Sequence, residues 1–173
     1  MTKYEKTNLG TVLLVEQLPA DAISAPLIPI AGVVASIEAA EEPVAFRPLG
    51  YATEFVAEPV ANGYNIRLTV QVQANDTNRN IAIGWNRRKH LLVAHQPGGV
   101  KRILGNYGNG AKCSISFAGG SHTMQPTIAI SWQWLSRELP ALLSGNLGLL
   151  YDYASTTGII YTSTTGIAFK TTT

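Results

Sequence analysis

Charge is scarce in this 173-residue chain: Asp, Glu, Lys and Arg make up 14% of it, against roughly 25% in ordinary soluble domains. Apolar residues at 46% are ordinary, so the deficit belongs to the surface. Two explanations fit. Neighbouring subunits cover much of that surface, or Thr, Ser, Asn and Gln solvate a β-rich protein in place of charge. The formal net charge of +2 is too small to argue for nucleic acid by itself. Cysteine is confined to Cys113, which excludes an intrachain disulfide and a cysteine-based zinc site. Within AKCSISF it reads as a buried free thiol. No apolar run reaches the roughly 18 residues of a membrane span, and TKYEKTN after Met1 has no apolar segment of a secretory leader. Synthesis and assembly in a cytosol, without a membrane partner, are therefore expected.

A catalytic set is missing as well. Of the histidines, His90 and His95 are five apart and point to opposite faces of a strand, a poor geometry for a shared metal. Ser121-His122 lacks a nucleophile elbow and a nearby acid to orient the imidazole. GNYGNGAKCS fails as a phosphate loop because Ala111 separates Gly110 from Lys112 and the residues beyond alternate like a strand. Its glycines suit a turn instead. Glu41, Glu42, Glu138 and Asp152 read as solvated loop carboxylates; a glycosidase pair would need two of them to converge. No enzyme activity and no cofactor is expected.

What the chain does have is strand periodicity. In YNIRLTVQV, residues Tyr64, Ile66, Leu68, Val70 and Val72 share one face, and Asn62-Gly63 before them signals a hairpin with the strand starting near Tyr51. Asp76 or Thr77 caps a short helix through Arg79 to Trp85, with Ile81 and Trp85 toward the core. From Asn86 to Ser144 four short strands follow, joined by glycine turns. HLLVAH is a compact apolar run, VKRILGNY returns, AKCSISF alternates, and Ile128, Ile130, Trp132 and Trp134 fall two apart. The two tryptophans serve either as core or as a sugar-stacking platform, and sharing a face with Ile128 and Ile130 favours the core.

This order of elements resembles small structural proteins of the tail and neck regions of phages and prophages of Bacteroidetes, crAss-like or related tailed phages. The matching residues are Arg88 and Lys89 before Leu91, Leu92 and Val93, then Gly98-Gly99, then Arg102-Ile103-Leu104-Gly105, and finally Trp132, Trp134 and Pro140. The match covers about a third of the chain, or about half if Tyr64 to Val72 is included, and is topological rather than chemical. His95-Gln96 stands where that pattern has an acidic residue. The resemblance implies a multi-copy component of a virion tail or neck ring, made in the bacterial host cytoplasm, with copies of itself and other virion proteins as partners.

Residues 1–50, broken by Pro19, Pro26, Pro29, Pro43 and Pro48, read as an extended N-terminal arm. Residues 51–144 form the β-rich core, and residues 145–173 a threonine-rich C-terminal hairpin or arm. There STTGIIYT is followed at once by STTGIAFK, two copies read as strands around Ile159 to Tyr161 and Ile167 to Phe169. Such an uncharged hairpin either docks on a neighbouring subunit or returns to its own sheet. The expected fold is mainly β, a β-sandwich or partly closed barrel with one short helix and extended N- and C-terminal arms. The candidate assembly contacts are Ile159, Tyr161, Ile167 and Phe169, with Arg87, Arg88 and Lys89 as a basic cluster extended by Lys101 and Arg102. The cluster suits either an acidic or phosphate-bearing partner or a solvated strand end; a nucleic-acid contact is left open by it and supported by nothing else. From another class, the alternative is a carbohydrate-binding β-sandwich module with Trp85, Trp132 or Trp134 as its stacking surface.

Overall fold

Alternation in YNIRLTVQV decides the centre of the fold: Ile66, Leu68 and Val70 are fully buried and Val72 nearly so, while Asn65, Arg67, Thr69 and Gln71 turn outward. The structure, a computed structural model, describes residues 6–23, 25–50, 54–118, 126–149, 151–154 and 160–163. In chain order the elements are β1 (Thr7–Asn8), β2 (Leu14–Pro19), β3 (Val33–Val34), β4 (Ile37–Ala39), β5 (Val44–Phe46), β6 (Glu54–Val60) and β7 (Gly63–Gln73). Then come α1 (Asp76–Trp85), β8 (Lys89–His95), β9 (Lys101–Leu104), β10 (Ala111–Ala118), β11 (Thr127–Ser136), β12 (Leu142–Leu143), β13 (Leu147–Leu149), β14 (Tyr151–Ala154) and β15 (Ile160–Ser163).

Eleven of these strands make one curled, open sheet, a half-barrel, in the order β1-β6-β7-β11-β10-β8-β9-β12-β3, with β2 on β8 and β5 on β2. The fold is mainly β, and of the two architectures expected it is the partly closed barrel that forms. The long meander β6-β7-β11-β10 is antiparallel throughout; β7 and β11 pair from Gln73 opposite Thr127 to Tyr64 opposite Ser136. Val60 faces Gly63 across a two-residue turn, the hairpin expected at that point. The helix begins one residue earlier than Asp76 as cap: Asn75 Oδ1 accepts the Asn78 backbone N–H at 2.7 Å. Ala82 and Trp85 carry α1 onto the concave face of the sheet, while Ile83 on the opposite side is 65% exposed.

HLLVAH reads as an unbroken apolar run because β8 is buried on both faces. His90, Leu92 and Ala94 turn to the concave core, with Phe55, Leu68, Ile130 and Trp132. Leu91 and Val93 turn to a second core on the convex face, with Leu18, Ile23, Ile37, Ile103 and Leu143. Each aliphatic side chain so buried contributes about 1.5–3 kcal/mol, so this strand anchors both layers.

Residues 1–50 read as an extended arm. Their described part is extended and free of helix, but it is seated on its own chain. Val12, Val15, Leu18 and Ile23 are at most 1% exposed, and β2 pairs along its whole length with β8, Leu14 opposite His95 and Pro19 opposite His90. The reason is the side-chain alternation of β2, which sends Val15 to the concave core and Leu18 to the convex one. Proline punctuates this segment without keeping it out of the sheet, because Pro19 stands at the strand's end.

Gly105 ends β9 with φ +92°, and a Cβ there would meet the His90 carbonyl oxygen at 2.4 Å. Both the backbone angle and the contact exclude a side chain. Gly105→Ala is expected to cost roughly 2–4 kcal/mol, read as a lower urea midpoint with unchanged slope.

Candidate functional site

The basic residues do not form one cluster. Arg87, Arg88 and Lys89 are exposed where α1 hands over to β8, Arg87 in a left-handed conformation (φ 66°) with its N–H donating to the Cys113 carbonyl. Lys101 and Arg102 lie opposite His95 and Ala94 at the other end of the same strand, about 20 Å away at the usual rise per residue. An antiparallel return places the start of β9 beside the end of β8, and this separates the two groups. Lys101 Nζ donates to the Gly145 carbonyl and to Asn146 Oδ1, which ties the approach to β13 to β9, and Arg102 Nε donates to Gln96 Oε1 at 2.9 Å, whose amide in turn donates to the Leu9 carbonyl. Lys89 Nζ reaches the Gly108 carbonyl at 3.4 Å. Arg88 and Lys89 line a 500 Å³ depression with Asp21 and Tyr107.

The histidines serve different ends. His95 Nε2 donates to Glu16 Oε2 at 2.6 Å, a diagonal pair across β8 and β2. His90 is 1% exposed and neither ring nitrogen has a partner among the described residues. Burial, helped by the positive charge of Arg88 and opposed by Asp21, pushes its pKa down to about 4. It is a neutral ring packed 6.0 Å from Trp85. His122 lies outside the described residues. Cys113 is a buried free thiol, as read from AKCSISF, and burial pushes it up to about 12, far from nucleophilic at neutral pH. Among the described residues no three His, Cys, Asp or Glu side chains gather as a metal site.

The aromatic residues divide. Trp132 is fully buried, stacked on Phe46 at 5.7 Å and tilted against Trp85 at 6.3 Å. It is core, and the idea that it offers a stacking surface is corrected. Trp85 is half-buried in the same cluster, 5.6 Å from Phe46. Trp134, two residues beyond Trp132 on β11, reaches the end of the half-barrel, where the sheet no longer covers it fully.

At that end lies a concavity of about 570 Å³. Three turns build it. The β6–β7 turn brings Asn62 and Tyr64, the β9–β10 turn brings Tyr107, and the exit of β11 brings Trp134, Arg137 and Glu138. Asn106 and Asn109 exchange backbone hydrogen bonds at 3.1 Å across Tyr107-Gly108, which holds Tyr107 at the tip, 47% exposed. Asn106 Oδ1 accepts from the Leu27 and Tyr107 N–H groups, and its amide donates to the Leu27 carbonyl. The GNYGNG run thus serves as the turn expected of it, with Gly105 and Gly108 at positive φ. Sequence reasoning missed this groove because its lining comes from turns far apart in the chain; Tyr107 between glycines was the one available signal.

Of the other candidate contacts, Tyr161 lies in β15, opposite Tyr153 of β14, in a two-stranded antiparallel sheet separate from the main one. The segment around Tyr161 thus pairs with Tyr151–Ala154. Ile159, Ile167 and Phe169 lie outside the described residues. No helix among the described residues is long and apolar enough to cross a membrane. No protein-family model matches the chain, and no curated protein matches it.

Proposed function

We propose that the chain is a structural component of a tailed-phage virion, present in several copies in the tail or neck and working by assembly rather than by a reaction. The observation that carries the assembly part is the β14–β15 ribbon, a two-stranded sheet with no ladder to the main sheet among the described residues. Two strands alone are marginal in water and need a further surface to be stable. Open edges for such a ribbon exist on the half-barrel. Among the described residues β6 is covered at one end by β1, with Leu9 N–H donating to the Phe55 carbonyl just beyond it, and β5 is paired on one side. Glu54, Glu58 and Pro59 guard the β6 edge, whereas β5 carries no charge, which makes it the better acceptor of a strand. A second apolar feature agrees. Ile30, at the turn closed by the Ile30–Val33 bridge, and Ile28 just before it are 82% and 80% exposed, surface that a neighbouring copy would cover. The virion setting rests on the resemblance of residues 86–144.

In this reading the half-barrel sets subunit spacing and the ribbon adds to a neighbour's sheet. Arg87, Arg88 and Lys89, exposed at one end of β8, supply a salt-sensitive contact to an acidic neighbour. Light scattering on the full chain is expected to give a mass several times 18.5 kDa, and removal of residues 151–173 to reduce it to a monomer. A full chain that stays monomeric at high concentration, or a truncated one that assembles unchanged, overturns the proposal.

A further inference from the structure

We infer that the groove at the end of the half-barrel is a binding site for a neutral oligosaccharide. The mouth of a barrel is a common place for small-ligand sites, and the groove's 570 Å³ falls within their usual size.

The chemistry of the lining selects the ligand. Tyr64, Tyr107 and Trp134 bring three aromatic rings to one groove, suited to the C–H faces of sugar rings. Asn62, Arg137 and Glu138 bring an amide, a guanidinium and a carboxylate, and none of these side chains has a hydrogen-bond or ion-pair partner among the described residues. Trp134 Nε1 is buried without an acceptor among the described residues. A purely apolar segment seated here would strip water from these groups and return nothing. Sugar hydroxyls both donate and accept, so one ligand satisfies the amide, the cation and the anion together. The two charges cancel, which argues against a phosphate backbone and for an uncharged ligand.

The site is independent of the ribbon-mediated assembly proposed above, so the two readings fail separately. The test is an array of immobilised neutral oligosaccharides of glucose, mannose, galactose and N-acetylhexosamines, probed with the full chain. Titration of the best-retained sugar in solution follows by tryptophan fluorescence. Saturable binding is expected, with Kd weakened at least about tenfold in Tyr107→Ala and in Arg137→Ala while the thermal midpoint of both variants stays put. Absence of signal across the array overturns the inference, as does binding that both substitutions leave unchanged. Should Tyr107→Ala instead break up an oligomer with no sugar response, the groove holds a second copy of the chain, and the inference is equally overturned.

Discussion

Trp132→Ala is expected to lower the unfolding free energy by about 3–5 kcal/mol, a large part of the roughly 5–15 kcal/mol that holds a domain of this size. The ring is fully buried and joins four elements at one point: Phe46 of β5, Trp85 of α1, and its neighbours in register, Leu68 of β7 and Cys113 of β10. Its removal leaves a cavity under the helix that cannot collapse without moving the curled sheet. Urea denaturation followed by circular dichroism measures the loss. Trp134→Ala, two residues on at the half-buried end of the same face, is expected to cost much less. Equal costs for the two would show that Trp132 does not organise the concave core.

Acid is expected to weaken the fold through His90. Its folded pKa of about 4 lies below the ordinary 6.5, so the unfolded chain takes up a proton that the folded chain refuses. The sign follows: stability is full above pH 6.5, falls as the pH drops below it, and has lost the whole histidine contribution by about pH 4. The gap between these two values corresponds to about 3 kcal/mol. His90→Leu is expected to flatten this part of the profile. At neutral pH it is expected to be neutral or stabilising, because it removes two buried ring nitrogens that have no partner among the described residues. Thermal midpoints of both proteins between pH 4 and pH 7.5 decide the matter. A wild-type profile as flat as the variant's would mean that His90 does not carry the acid response.

The strands were readable wherever one face is wet. YNIRLTVQV and TIAISWQW each show their register in the letters, because Ile66 to Val72 and Ile128 to Trp132 are buried while their alternates are solvated. HLLVAH was recognisable as a strand but not as the one shared by two cores, since an unbroken apolar run does not say which residue faces which layer. The seating of β2 was hidden for a different reason. Its partner β8 comes more than 70 residues later, and local pattern cannot specify so distant a pairing. The same limit applies to the site. Asn62, Tyr107 and Arg137 each looked like an ordinary turn residue, and only the closing of three turns around one end of the half-barrel brings them together. The split of the basic residues, by contrast, was open to deduction, because the glycine turn at Gly98-Gly99 already reverses the chain.

The two parallel pairs, β3 with β12 and β4 with β13, set the timetable of the molecule's own making. Ser144 Oγ donates to the Val34 carbonyl across 110 residues of chain, a closure that costs about 4 kcal/mol of loop entropy before any contact rewards it. On the ribosome, Val33 to Ala39 emerges early and has no ladder until Leu142 to Leu149 is threaded out, many seconds later at ordinary elongation rates. The convex layer therefore sets late in the making of the protein, and its aliphatic side chains wait in the open until then, a window in which chaperones would engage them.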